Sequence, residues 1–298
     1  MISVLYVRVD LYTDDKQLLI SCSEFHVTIM IESIMLNARQ DLKQCITSQG
    51  IIAGTHHFVD LWARDSLFAT FGSDALPAKT TIETFLRFQR DDGLIPYRVM
   101  RSKTTIAKYF GKPTLLDEPV AQYRSRQSGG LVLDGGLMTV IAAYEYARRS
   151  GRSKFLQIHQ TQLERAMQWY EKRFGDNLLS EWFQCEWADG VLKVGQTLYT
   201  NVLYFRALGD IGNHTRQRYI GNLLRERLWN GKFFSDWADY KRQDYFSSHA
   251  NMLAIIFGLA TKEESKTILD VAKRYCLADW TLETNYPKYQ FWRIPLMQ

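Results

Sequence analysis

The sequence contains no apolar run of about 18 residues, the length that a membrane-spanning helix needs. Its N-terminus lacks the basic segment and apolar core that mark a secretory signal peptide. We therefore expect a soluble, cytoplasmic protein that has no membrane partner.

Tracts of basic residues are absent as well. The chain has 37 Lys and Arg against 32 Asp and Glu, and the resulting formal charge of +5 is scattered along it. Because nucleic-acid-binding proteins concentrate basic residues into patches, this pattern does not favour a nucleic-acid partner.

Cysteine is scarce, and the four cysteines lie far apart without the paired spacing of a metal site (Cys22, Cys45, Cys185, Cys276). We interpret them as free thiols. His56 and His57 are adjacent rather than one helical turn apart, so no zinc site is predicted. The sequence predicts neither a metal nor another cofactor, and it gives no indication of the oligomeric state.

Aromatic residues are plentiful, at 13% of a chain that is 46% hydrophobic. Many of these rings stand beside acidic or amide residues, an arrangement that suits stacking on a carbohydrate or a nucleobase. The alternative is that the rings belong to the hydrophobic core.

Helical periodicity dominates the chain from about residue 24 onward. It appears around 133–144 and in segments near 28–48, 63–74, 79–90, 154–174, 198–209, 215–228, 247–259 and 262–275. Two capping-box pairs are predicted to begin helices, and two glycines to end them (Thr80 with Glu83, Thr261 with Glu264, Gly151, Gly175). We predict an all-α domain over residues 23–298, preceded by a strand-like segment over 1–22. The weakly patterned stretch 97–130 is predicted to be a long functional loop.

Three clusters combine acidic residues with aromatic residues or glycines. The first places Trp62, Arg64 and Asp65 together, a trio that can stack on a sugar ring and hydrogen-bond neighbouring hydroxyl groups. The alternative is a helix-terminal Asp65 paired with Arg64, with Trp62 in the core.

The second cluster is Asp134-Gly-Gly, directly before an apolar helix, where Asp134 alternatively serves as the N-cap. The third runs from Glu181 to Asp189 and contains Glu186 and Trp187. An apolar wall of indole rings raises the pKa of a carboxyl group, as a general acid requires. Solvated acids beside core tryptophans are the alternative.

Together the clusters resemble the six-hairpin glycosidases, which include the glucoamylases and the glycogen-debranching amylo-α-1,6-glucosidases. Trp62-Ala-Arg64-Asp65-Ser66 resembles the Trp-x-Arg-Asp-Ser of glucoamylases. Asp134-Gly-Gly-Leu137 and the segment from Trp187-Ala-Asp189 to Tyr199-Thr-Asn201 are similar to segments of the debranching family. The resemblance runs in consistent order from about residue 30 to 298.

The resemblance implies an (α/α)6 toroid that hydrolyses an α-glucosidic bond of an oligo- or polysaccharide with inversion. Asp189 would be the catalytic acid. Glu186 is an alternative as a competing neighbour, and Asp134 is another because the acid of the related neutral invertases resembles it in position. Ala63 and Ala188 depart from the debranching family's Gly and Met. The remaining candidates are expected to bind the carbohydrate substrate (Trp62, Arg64, Asp65, Trp187, Tyr199, Asn201).

A ring of six hairpins needs twelve helices, whereas the pattern predicts about nine or ten. We therefore expect the ring to be incomplete at its C-terminal end and the isolated chain to have little hydrolytic activity. The catalytic base would be Glu283 or a residue beyond the C-terminus.

Two other function classes remain open at this point. A noncatalytic helical toroid that binds a glycan or a protein needs no second carboxylate opposite Asp189. A terpenoid-cyclase-like barrel needs an Asp-Asp-x-x-Asp motif, which the chain lacks. His249 is predicted to be a hydrogen-bonded residue at a helix start.

Overall fold

The computed structural model describes residues 22–56, 58–278 and 281–294. The predicted strand over residues 1–22 therefore lies, except for its last residue, outside the described part of the chain. No helix in the described part is long and apolar enough to cross a membrane.

Helices make up most of the regular structure of the described residues. They are α1 (Cys22–Gln44), α2 (Ala63–Ala69), α3 (Ala75–Arg87), α4 (Ile106–Tyr109), α5 (Asp134–Ser150), α6 (Ser153–Phe174), α7 (Leu198–Asp210), α8 (His214–Leu228), α9 (Ser248–Ile256) and α10 (Lys262–Tyr275). A short 3₁₀ helix follows at Phe291–Arg293.

Most of these helices form hairpins of consecutive neighbours, α2 with α3, α5 with α6, α7 with α8 and α9 with α10. The first helices of the hairpins also pack side by side, in the order α2, α5, α7, α9. Helices α5 and α7 are buried on nearly every side, as interior helices are, whereas α6, α8 and α10 bury one stripe. The arc of α2, α5, α7 and α9 is therefore the inner layer, with the second helices outside it.

Short antiparallel strands fill the connections between the helices. They are β1 (Ile46–Thr47), β2 (Gly50–Ile51), β3 (Leu61–Trp62), β4 (Arg98–Ser102), β5 (Leu115–Gln122), β6 (Gln196–Thr197), β7 (Ser235–Ala238), β8 (Arg242–Ser247), β9 (Leu277–Ala278), β10 (Thr281–Leu282) and β11 (Asn285–Tyr286). The larger sheets have the strand orders β3-β4-β5 and β11-β8-β7-β6. Strands β3, β6 and β8 lead directly into α2, α7 and α9, so the sheets lie at the N-terminal ends of the inner helices.

The predicted long loop over 97–130 is wrong, because β4 and β5 occupy much of it. Strand β5 escapes a pattern search because it contains Asp117, Glu118 and Pro119 and has no fully buried face.

Of the two predicted helix starts and two predicted helix ends, three are confirmed. Thr261 and Glu264 form the capping box of α10, and Gly151 and Gly175 follow α5 and α6. The capping box of Thr80 and Glu83 is wrong, since α3 begins at residue 75 and the Thr80 hydroxyl donates to a carbonyl within the helix.

Two glycines allow the close packing of the start of α5. A Cβ atom on Gly135 would overlap the carbonyl oxygen of Pro96 and lie 2.8 Å from its carbonyl carbon, and one on Gly136 would lie 2.6 Å from the hydroxyl of Tyr170. That hydroxyl donates a hydrogen bond of 2.5 Å to the carbonyl of Leu133. The glycines therefore let the first turn of α5 pack directly against the backbone ahead of β4 and against α6.

We expect Gly135→Ala to lower the free energy of unfolding by about 1–3 kcal/mol, because the new methyl group meets backbone atoms that cannot rotate away. Urea titration of the variant measures this loss. Gly72→Ala is the matched control, since its Cβ meets nothing closer than 4.0 Å. Equal midpoints for the two variants would contradict the packing argument.

Candidate functional site

The candidate site lies where the N-termini of the inner helices meet. Each inner helix contributes side chains from its first turn, and the loop between α6 and β6 contributes the rest. The contributing residues are Arg64 and Asp65 of α2, Asp134 of α5, Tyr199 of α7, His249 of α9, and Glu186, Trp187 and Asp189 of the loop.

Arg64 links three of these segments. Its Nε donates a hydrogen bond of 2.8 Å to Oδ2 of Asp134, and its Nη1 donates one of 3.3 Å to the carbonyl of Glu186. The Asp134 carboxylate thus binds a guanidinium from α2. The N-cap residue of α5 is Leu133, which makes no side-chain cap.

Three aspartates share this region. Removal from water raises the pKa of Asp65 and of Asp134, and Arg64 partly opposes both shifts. The negative charge of Asp189 contributes to the raised pKa of both groups, so the three carboxylates lie within electrostatic reach of one another. Asp189 is half-buried and makes no hydrogen bond or ion pair through its side chain with other described residues. Asp134, by contrast, is held by its ion pair with Arg64.

Two glutamates of the third cluster lie deeper. Burial raises the pKa of Glu181 to about 7, against the hydrogen bonds that Thr197 and Thr200 donate to its Oε2. Glu186 is also buried, and its Oε2 accepts a hydrogen bond of 3.2 Å from Lys193. Neither glutamate is a solvated surface acid.

Aromatic rings surround His249. Its ring centroid lies 4.8 Å from that of Trp187, 5.3 Å from that of Tyr199 and 5.7 Å from that of Phe68. Removal from water, together with the positive charge of Arg64 and of a nearby lysine, lowers the pKa of His249 to about 4. The imidazole is therefore neutral at physiological pH.

Trp62 is fixed by the strand that leads into α2. The Arg98 guanidinium lies 4.4 Å from the centre of the indole ring, and Phe58 and Tyr97 meet that ring edge to face. Arg98 is itself held by a buried ion pair with Asp60. The indole is thus held in place, and one of its faces is already covered.

Several buried polar atoms of the site have no hydrogen-bond partner among the described residues. They are Trp62 Nε1, Asp134 Oδ1, Glu186 Oε1, the Tyr199 hydroxyl and His249 Nε2. Unpartnered polar groups are costly in a protein interior, so their concentration at one place points to a binding site. A ligand that carries several hydroxyl groups would satisfy them.

Two sequence candidates have other surroundings. The Asn201 amide hydrogen-bonds the backbone of Leu179 and Thr197, which uses its donors and its oxygen. Glu283 is exposed next to β10, and its charge acts on Cys276. Neither contributes a free polar group to the cluster around Arg64.

The structure adds residues that the sequence analysis did not select for the site. The predicted place of His249 at a helix start is confirmed, but its Nε2 has no hydrogen-bond partner among the described residues. Lys193, Asp236 and Tyr289 belong to none of the sequence motifs. His249 reaches the site because it lies in the first turn of α9, which packs beside α7 in the inner layer. The order of the inner helices would therefore have identified it as a candidate.

No protein-family model and no curated protein sequence matches the chain. Solved structures do match it. A GH78 family rhamnosidase of a Bacillus species superimposes with a TM-score of 0.60 at 14% identity, over 81% of this chain and 26% of the rhamnosidase. The GH63 mannosylglycerate hydrolase from Thermus thermophilus matches with a TM-score of 0.60 at 15% identity, over 87% of this chain and 83% of the hydrolase.

A cellobiose 2-epimerase from Bacillus thermoamylovorans matches with a TM-score of 0.50 at 14% identity, over 85% of this chain and 76% of the epimerase. The chain spans about a quarter of the rhamnosidase and most of the other two. These likenesses show the fold. The chain has an (α/α)6 toroid fold, which confirms the fold that the resemblance predicted. The closeness to glucoamylases and the incompleteness of the ring stay predictions.

We expect His249 to make stability depend on pH. The pKa of His249 is lowered from 6.5 to about 4, so the folded state binds this proton less readily than the unfolded state does. The contribution of the neutral imidazole to the free energy of unfolding is therefore fully present above pH 6.5 and is lost as the pH falls through about 4. Between about pH 7 and pH 4.5, the free energy of unfolding of the wild type should fall by about 2 kcal/mol more than that of His249→Gln.

Urea titrations at both pH values measure this difference. His214→Gln is the matched control, because His214 is exposed at the start of α8. An unchanged pH dependence in the His249 variant would contradict the buried, neutral imidazole.

Proposed function

We propose that the chain is a glycoside hydrolase that cleaves an α-glucosidic bond of an oligo- or polysaccharide with inversion. The observation that carries this proposal is the group of unpartnered buried polar atoms among acidic and aromatic side chains. A monosaccharide unit offers both the apolar faces and the ring of hydroxyl groups that such a site can bind.

In this proposal Arg64 and Asp65 bind the terminal sugar unit. A carboxylate accepts hydrogen bonds from hydroxyl groups, and a guanidinium donates them in a fixed plane. The rings of Trp62 and Trp187 pack on the sugar. The Tyr199 hydroxyl and His249 Nε2 supply further hydrogen bonds.

Asp189 is the proposed general acid. It is half-buried two residues from Trp187 and has no side-chain partner among the described residues, so its carboxyl group is free to meet a glycosidic oxygen. Glu186 pairs with Lys193, and Asp134 pairs with Arg64. A cationic partner favours the ionised form of a carboxyl group, which suits a proton donor less well.

Asp134 is the proposed base. Arg64 holds its Oδ2, which leaves Oδ1 to accept a proton from water. Burial raises the pKa of Asp134, and a carboxylate of higher pKa is the stronger base. An inverting hydrolase needs such a second carboxylate on the opposite side of the sugar from the acid. Glu283 is exposed and is less suited to this role.

A noncatalytic glycan-binding toroid is the second candidate. It is favoured by the two ion pairs that engage Asp134 and Glu186, because a binding site needs only fixed polar groups. The two candidates differ in whether a bound sugar is cleaved.

We expect the chain to hydrolyse at least one member of a panel of α-glucosides, with isomaltose, maltose and p-nitrophenyl α-glucoside as the first probes. Asp189→Asn should lower kcat on the unactivated disaccharides by about 10²–10⁴-fold, since it removes the proton donor. On p-nitrophenyl α-glucoside, whose leaving group needs no proton, the loss should be much smaller.

The exposed Asp270→Asn on α10 is the matched control and should retain wild-type rates. Proton NMR of the first product formed tests inversion, which requires the β-anomer from an α-glucoside. Sugar binding without turnover of any probe would favour the noncatalytic toroid. Normal turnover of the disaccharides by Asp189→Asn would move the acid to Glu186, or to Asp134, which would then not be the base.

We expect Asp65→Asn to act mainly on binding. Losing one carboxylate contact to the sugar should raise KM by about tenfold, the equivalent of one charge-assisted hydrogen bond. Steady-state kinetics on the best substrate of the panel separates KM from kcat. A fall in kcat alone would assign Asp65 to the chemical step instead.

A further inference from the structure

We propose that Lys193 is a positioning residue of this site, whose buried ammonium group clamps the loop that carries Trp187 and Asp189. The effect on catalysis rests on the proposed function, in which Asp189 is the acid. The clamp itself rests only on contacts within the protein.

Lys193 is buried between two carboxylates. Its Nζ lies 3.2 Å from Oε2 of Glu186 and 2.8 Å from Oδ2 of Asp236, and its side chain is 2% exposed. A second contact of 3.1 Å reaches Oδ1 of Asp236. The ammonium group is therefore held from two sides inside the protein.

These contacts close a loop at its two ends. Glu186 begins the segment and Lys193 ends it, so their ion pair joins residues that are seven positions apart. The same Glu186 oxygen accepts a hydrogen bond of 2.9 Å from the amide of Ala188, whose carbonyl accepts one of 2.9 Å from Val191. Asp189 lies within this closed loop, so its position depends on the closure.

The clamp is anchored to the rest of the fold through Asp236. This residue belongs to β7, and its Oδ2 also accepts a hydrogen bond of 2.6 Å from the hydroxyl of Tyr289. The Lys193 ammonium lies 5.4 Å from the ring centre of Tyr289 and 5.7 Å from that of Trp237. The loop is thereby tied to the sheet in front of α7 and α9.

A second tie lies next to Lys193 in the chain. The amide of Leu192 donates a hydrogen bond of 2.7 Å to the carbonyl of Arg293, and the Arg293 guanidinium lies 4.9 Å from the ring centre of Trp237. The segment from Tyr289 to Arg293 thus holds the end of the loop at Lys193.

The clamp also reaches the proposed sugar-binding arginine. Arg64 donates to the carbonyl of Glu186, the residue at which the loop begins. One continuous set of contacts therefore runs from Asp236 through Lys193 and Glu186 to Arg64. Removing the ammonium leaves two buried carboxylates facing each other, and their repulsion would open the loop.

Hydrogen exchange measured by mass spectrometry tests the clamp without any substrate. In Lys193→Met, amides of residues 187–193 should exchange about tenfold faster or more, while α5 and α7 keep their wild-type protection. Tyr289→Phe, which removes one hydrogen bond and no charge, should produce a smaller increase in the same segment. The exposed Lys232→Met is the matched control and should leave the segment unchanged.

Kinetics separates positioning from a merely structural role. If Lys193 positions the acid, Lys193→Met and Tyr289→Phe should lose at least about tenfold more kcat on isomaltose or maltose than on p-nitrophenyl α-glucoside. A structural defect would lower both rates equally.

Unchanged exchange in a folded Lys193→Met, or equal losses on both kinds of leaving group, would overturn the proposal. If Lys193→Met fails to fold, unchanged exchange in Tyr289→Phe overturns it instead. If the wild-type chain cleaves no probe, the proposed function fails, whereas the exchange result still decides whether the clamp exists.

Discussion

The ion pair between Arg64 and Asp134 is the contact on which the candidate site depends. It joins the first turns of α2 and α5, two neighbouring inner helices, through residues that are 70 positions apart in the chain. Removing one partner of a buried pair leaves the other charge without compensation, which is strongly destabilising. Since Arg64 also contacts the backbone of Glu186, the same guanidinium sets the distance between the inner helices and the loop that carries Asp189.

Charge is arranged around this pair in a consistent way. The site holds more carboxylates than cations. Arg64 lies between α5 and the loop that carries Asp189, and Lys193 lies between that loop and β7. The neutral imidazole of His249 lies close to both cations without adding a third charge. Such a site can fix its acidic groups and still leave individual oxygens free for a ligand.

The short strands explain why these side chains converge. Strands β3, β6 and β8 each end where an inner helix begins, so the sheets fix the direction in which α2, α7 and α9 enter the layer. Buried polar contacts hold this arrangement, among them the ion pair of Arg98 with Asp60 and the hydroxyls of Thr197 and Thr200 on Glu181. A helix N-terminus offers free amide groups and a partial positive charge, which makes this end of the ring the suitable place for acidic side chains.

Local patterns in the chain are enough to predict the helical hairpins and most of the acidic and aromatic clusters, because helical periodicity and short motifs depend on neighbouring residues. The glycine stops and the capping box at Thr261 are local in the same way. The pairing of Asp134 with Arg64 in place of a cap on α5, and the closure of the Asp189 loop by Lys193, Asp236 and Tyr289, emerge only in the folded molecule. The contacts of Asp134 and Asp236 join residues more than 40 positions apart in the chain. Because such contacts depend on which distant segments are buried together, no local pattern in the sequence predicts them.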